Sequence, residues 1–127
     1  MNDIVSGQFQ RIKEHYPDAE ITEYPDGVAV LTATVRTLPE GAWNKTETKV
    51  LVVVPVGYPV AKPDCFWTEV DLRLHTGAQP TNTAFTAPPH HNVHLLWFSW
   101  HISKWNPNKD GLVTYMRTVE GRLREPR

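Results

Sequence analysis

The stretch that decides the fold is TKVLVVVPVGYPVAKPDCFWT, Thr48 to Thr68. Its first half is a run of valines, and β-branched side chains at that density suit a strand covered on at least one face. Its second half is punctuated by Gly57, Pro59 and Pro63. Pro59 fixes its own φ and restrains Tyr58 to an extended conformation, and with Pro63 it makes a stiff crossing into the next strand. That next strand is read in CFWTEVDLRL, Cys65 to Leu74. Tyr58 is read as a structural aromatic that supplies core area.

Toward the N terminus, Val5, Phe9, Ile12 and Tyr16 recur at spacings of four, three and four, which predicts an amphipathic helix over residues 2–15, stopped by Pro17. AEITEY and VAVLTATVRTL, joined by Pro25-Asp26-Gly27, predict a β-hairpin. The turn Pro39-Glu40-Gly41 then leads into the valine run. Toward the C terminus, Thr76 to Pro89 is rich in Gly, Pro, Thr, Asn and Ala without apolar period, and is expected to be an irregular surface segment. Such segments are usually functional or mobile. After the Trp-rich stretch Leu95–Pro107, Leu112, Met116, Val119 and Leu123 predict a closing helix over Asp110–Leu123, capped by Asn108 or Asp110. The expected class is α+β: an N-terminal helix, a four-stranded antiparallel meander and a C-terminal helix.

The chain has 127 residues, 40% hydrophobic and 21% charged, which is enough for one two-layer core and predicts a single domain over residues 1–127. A formal net charge of -1 gives no bulk attraction to phosphate or anionic lipid, so neither a nucleic-acid nor a membrane partner is expected. The single cysteine can form no internal disulfide, and no signal segment or membrane-spanning run is visible. A cytoplasmic location is the expectation.

The order of these elements resembles the ubiquitin-conjugating enzyme superfamily. VPVGYPVAKPDCFWT, Val54 to Thr68, is similar to that superfamily's Pro-x-x-Tyr-Pro-x-x-x-Pro-x-x-Phe-x-Thr signature, and Lys104-Trp105-Asn106-Pro107 is similar to its Trp-x-Pro. Within it, the chain resembles a divergent bacterial branch, prokaryotic family E, which carries Tyr-Pro-x-x-x-Pro-Asp-x-Phe, then Trp-Ser-Arg-His, then Trp-x-Pro-Gly-x-Asp. Here the second motif reads Phe98-Ser99-Trp100-His101 and the third Trp105-Asn106-Pro107-Asn108-Lys109-Asp110, so Trp100 replaces the Arg and Asn108 the Gly. The resemblance implies a bacterial ubiquitin-like (Ubl) conjugation system, with a Ubl and an adenylating activating enzyme as partners and no cofactor.

Conjugating enzymes carry the Ubl C terminus as a thioester on cysteine, because a thiolate both attacks and leaves readily. Cys65 lies in the predicted fourth strand, away from the position that the superfamily gives its nucleophile, and is read as a small buried hydrophobe. At that position stand Trp97, Phe98 and Ser99. A serine hydroxyl needs a base within hydrogen-bond reach, and His101, two residues on, shares its face in an extended segment. Aromatic mass around Ser99 would exclude water, protecting an acyl ester and strengthening hydrogen bonds to an oxyanion. The bland alternative is that the tryptophans cover the sheet while Ser99 and His101 satisfy backbone groups.

Upstream, His90-His91-Asn92 falls where the superfamily has His-Pro-Asn, whose Asn is associated with the oxyanion; the resemblance therefore implies that role for Asn92, and a plain loop Asn is the alternative. His90, His91, His94 and His101 invite a metal reading, but their spacing matches no standard site and no metal is expected. The expected function is transfer of a Ubl C terminus through an oxyester on Ser99, with His101 as base. The alternative is a non-catalytic conjugating-fold module that binds a Ubl or the activating enzyme.

Overall fold

The computed structural model describes residues 2–127. Helix α1 (Asp3–His15) is capped by Asn2, whose side chain accepts the Val5 amide at 2.8 Å. The apolar period works as the sequence predicts: Val5, Ile12 and Tyr16 are buried and Phe9 packs beside them. Strands β1 (Glu20–Glu23) and β2 (Ala29–Val35) form the expected hairpin, with the Gly27 amide donating to Tyr24 across the turn and Gly27 at φ 89. That positive φ is why glycine stands there. β3 (Thr48–Val54) pairs antiparallel with β2 along its full length.

The Tyr58–Pro59 peptide at the β3–β4 crossing is cis. Tyr58 is buried, and its hydroxyl bonds to Gln8 Oε1. β4 is much shorter than the ten-residue segment suggests, Phe66–Thr68 only. Beyond it the chain turns, with the Leu72 amide donating to the Glu69 carbonyl at 3.2 Å. Asn44, next to the Trp43–Leu74 bridge, holds this turn, donating to the Asp71 carbonyl and accepting from the Arg73 amide, each at 2.8 Å.

The expected four-stranded meander is corrected to a six-stranded sheet in the order β1-β2-β3-β4-β6-β5, antiparallel throughout. The two added strands are β5 (Thr83–Thr86), inside the segment read as irregular, and β6 (Leu95–Phe98), which inserts between β4 and β5. Each has four residues, too few to show a period, and each is fixed by pairing rather than by local propensity. Helix α2 (Leu112–Leu123) closes the chain. Neither Asn108 nor Asp110 caps it: Asp110 Oδ2 accepts the Asn106 amide instead, and the N-cap is Gly111. The Leu112 amide is satisfied from α1, by Gln8 Oε1 at 3.0 Å.

Both helices contribute to the core on one face of the sheet, where Ile12, Leu31, Val52, Phe66, Leu96, Phe98, Tyr115 and Val119 are at most 1% exposed. Full burial of such side chains contributes roughly 1.5–3 kcal/mol each. The segment before β6 lies against the opposite face: His91 lines a pocket with Thr32, Leu51, Trp67 and Leu95, and the His90 ring stacks on Tyr24 at 3.9 Å. Among the described residues no helix is long and apolar enough to cross a membrane.

Candidate active site

The site is built where β4 begins and β6 ends. Phe66 faces Phe98 and Thr68 faces Leu96 in a regular antiparallel register, and their rings at the Phe66–Phe98 pair stack with centroids 4.7 Å apart. Continued by two steps, that register would set first Cys65 opposite Ser99 and then Asp64 opposite Trp100. The chain does something else. The Cys65 amide donates to the Trp100 carbonyl at 3.0 Å, and Cys65 itself has φ 59. Ser99 and Trp100 thus stand against the single residue Cys65, and an extra residue of this kind re-aims the side chains beyond it, as in a β-bulge. Here it brings Asp64 against His101, with Nδ1 of His101 2.5 Å from Asp64 Oδ1.

Helix α2 holds the slip from beneath: the buried Tyr115 hydroxyl donates to the Cys65 carbonyl at 2.6 Å. The Tyr-Pro crossing straps the Trp-rich segment from the other side, with Lys62 Nζ on the Ile102 carbonyl at 2.8 Å and the Trp105 indole N–H on the Pro59 carbonyl at 2.7 Å. Cys65 is 7% exposed, so the expectation of burial agrees with the structure. Its expected separation from the nucleophile position does not: the thiol, the Asp64 carboxylate and the ring of His101, two residues past Ser99, place one ligand atom each within 4.8 Å of one another. The reason is the slip, which no local pattern announces. Burial pushes the Cys65 thiol up, and the neighbouring Asp64 carboxylate adds to this against opposing hydrogen bonds from Trp100 and Trp97.

Ser99 follows β6 directly. Its amide donates to the Asn82 carbonyl at 2.8 Å, extending the β5–β6 ladder by one rung, and the residue is half-buried. Phe98 points into the core, so strand alternation turns Ser99 to the opposite face, with Trp97. Trp100 turns back again: the Arg122 and Arg127 guanidiniums each lie 5.5 Å from its ring. His101 is exposed, at 59% of its side chain. The three tryptophans do not form one cluster. Trp97 pairs across the sheet with Trp67, Trp100 carries the arginines, and Trp105 packs against Tyr58.

Asn92 is exposed in the bend before β6. The four histidines are not gathered together: His90 Nε2 lies 2.8 Å from Asp26 Oδ2, His91 Nδ1 lies 2.7 Å from the Pro89 carbonyl, His94 is exposed just before β6, and His101 is on Asp64. The one group of possible metal-binding side chains among the described residues is Asp64, Cys65 and His101.

Sequence reasoning missed three residues here. Asp64 lay inside the Tyr-Pro motif, and its meeting with His101 depends on the slip. Arg122 is 1% exposed on α2, where the apolar period skipped it; its guanidinium donates to the carbonyls of Thr81, Glu125 and Arg127 and lies 5.1 Å from the Phe98 ring. Ser103 is an exposed second hydroxyl in the same segment.

Chemically, the arrangement offers a half-buried hydroxyl, an exposed imidazole with one nitrogen engaged by a carboxylate, and a buried thiol, all at one end of a rigid sheet. No curated protein sequence and no solved structure matches the chain. Residues 12–126, nearly the whole chain, match the model of Prokaryotic E2 family E, and with its α+β architecture and Tyr-Pro and Trp-x-Pro segments packed together the chain belongs to that family.

Proposed function

We propose that the chain acts as one ubiquitin-conjugating-like domain that accepts a Ubl C terminus from an adenylating activating enzyme as an oxyester on Ser99. The observation that carries this reading is the position of Ser99: one residue past β6, tied by its amide to Asn82, and two residues before the exposed His101 ring on the approach to Trp105-Asn106-Pro107. In the step, Ser99 Oγ attacks the carbonyl carbon of the Ubl's C-terminal acyl group, held as a thioester on the activating enzyme. The Oγ–C bond forms and the C–S bond breaks. The serine proton passes to Nε2 of His101, the nitrogen not engaged by Asp64, and on to the departing thiolate. Asn92 is assigned the role of oxyanion donor, on its interval from Ser99.

A specific observation favours one second reading, with the thiol of Cys65 as acyl carrier: its sulfur shares the 4.8 Å cluster with His101. Against it stand the burial of the thiol, which restricts access to it, and its upward shift, which disfavours the thiolate.

The test mixes the chain with its cognate activating enzyme, Ubl and ATP and follows the adduct by gel and mass spectrometry. The oxyester reading expects an adduct that survives thiol, is cleaved by hydroxide, is absent in Ser99→Ala, persists in Ser103→Ala, and forms about a hundredfold more slowly in His101→Ala. A thiol-labile adduct lost in Cys65→Ser selects the second reading. Binding to the Ubl or the activating enzyme without any adduct makes the domain a non-catalytic module.

A further inference from the structure

We infer that Asp64 is a positioning residue for His101, fixing the proton on Nδ1 so that the Nε2 lone pair is free to act as base; this rests on the transfer reading above. The geometry that carries it is the slip between β4 and β6. In unbroken register Asp64 would face Trp100, and its carboxylate would be directed away from the histidine. The left-handed Cys65 and its bond to the Trp100 carbonyl advance the pairing by one residue, and the carboxylate meets Nδ1 at 2.5 Å.

A neutral imidazole has one donor nitrogen and one acceptor, and the group that accepts from the first decides which nitrogen is left as the base. A carboxylate can only accept, so Asp64 selects the Nδ1–H tautomer and leaves Nε2 bare. When Nε2 takes the serine proton, the same carboxylate faces the imidazolium formed, as the third member of a Ser-His-Asp arrangement does. The pair has little to do with stability. Both side chains are more than half exposed, at 59% and 55%, and an exposed ion pair of this kind contributes little to folding. Meanwhile the backbone around them is held by groups that do not involve the carboxylate: Tyr115 on the Cys65 carbonyl, and Lys62 on the Ile102 carbonyl. A held backbone thus presents a solvent-facing Asp–His pair two residues on from Ser99.

The experiment has two arms. Long-range 1H–15N correlation of the His101 ring in the free chain reads the tautomer: Nδ1–H is expected in the wild type and Nε2–H, the form favoured in water, in Asp64→Ala. Adduct formation with the activating enzyme, Ubl and ATP reads the role: Asp64→Ala is expected to slow it tenfold or more, Asp64→Glu to recover part of the rate, and Asp64→Ala in a His101→Ala background to cause no further loss. A wild-type ring protonated on Nε2, an Asp64→Ala rate equal to wild type, or losses that multiply in the double variant each overturn the inference. Absence of any adduct from the wild type overturns the transfer reading instead, and the two failures are therefore told apart. An unchanged denaturation midpoint in Asp64→Ala is expected, and a large drop would make the residue structural.

Discussion

Replacing Tyr115 by phenylalanine deletes one oxygen from the helix beneath the site and leaves the ring, 1% exposed, in place. The hydroxyl donates to the Cys65 carbonyl at 2.6 Å. Burial pushes the Tyr115 phenol far above its ordinary range, so the donor is present at every working pH. Because apolar burial is unchanged, the cost is the hydrogen bond and its stranded partner. A net bond contributes about 0.5–1.5 kcal/mol, and a buried carbonyl left without a donor costs about 1–3 kcal/mol, so a loss of about 2 kcal/mol is expected. For a chain of this length that lowers Tm by roughly 6–10 °C. Urea titration followed by tryptophan fluorescence should show a lower midpoint at unchanged slope. Adduct formation should fall as well at temperatures where the variant stays folded, since the carbonyl belongs to the slipped residue that brings Asp64 to His101. A loss below about 0.5 kcal/mol would refute the reasoning, because it would mean that water replaces the phenol and that α2 does not hold the slip.

Gly111→Ala should cost about 1–2 kcal/mol by urea titration, and less in a Gln8→Ala background, because its Cβ would stand 2.8 Å from Gln8 Oε1, which caps α2. Arg122→Met should cost about 3 kcal/mol in the same assay, since it strips donors from the carbonyls of Thr81, Glu125 and Arg127. Cys65→Ser should keep transfer activity at a cost of about 1 kcal/mol. Alkylation of the wild-type thiol by iodoacetamide should be slower than that of free cysteine and should rise steeply above pH ~8.5, because burial, then Asp64, raises the thiol's folded-state value. The linked stability term is complete below that pH and is lost as pH climbs through the raised value, where only the unfolded chain readily gives up its proton.

The elements legible in the sequence were those whose signal is local. Val5, Ile12 and Tyr16 announced α1, Pro25-Asp26-Gly27 its hairpin, and the valines of β3 their own burial. What was not legible depends on partners distant along the chain. β6 is a strand because Phe66, Trp67 and Thr68 lie beside it, and β5 because β6 does. The end of β4 is set by Asn44, and the start of α2 by Gln8, and in both cases the sequence signal pointed elsewhere: to continued alternation in Glu69–Leu74 and to a cap at Asn108 or Asp110. The candidate site divides in the same way. Ser99 and His101 could be picked out by residue type and interval, whereas Asp64 and the nearness of Cys65 follow from a register slip that leaves no mark in composition or period.

The Gln8 amide oxygen accepts from both the Tyr58 hydroxyl and the Leu112 amide, so one atom of α1 closes the Tyr-Pro crossing and the first turn of α2 together. These three parts of the chain are dozens of residues apart in sequence, and displacing Gln8 strands both donors at once. Hydrogen exchange at the Leu112 amide therefore reports on whether the Gln8 side chain keeps its place between α1, the crossing and α2. Gln8→Ala should speed exchange at this amide well beyond its effect on amides in the middle of α2, marking local opening at the junction.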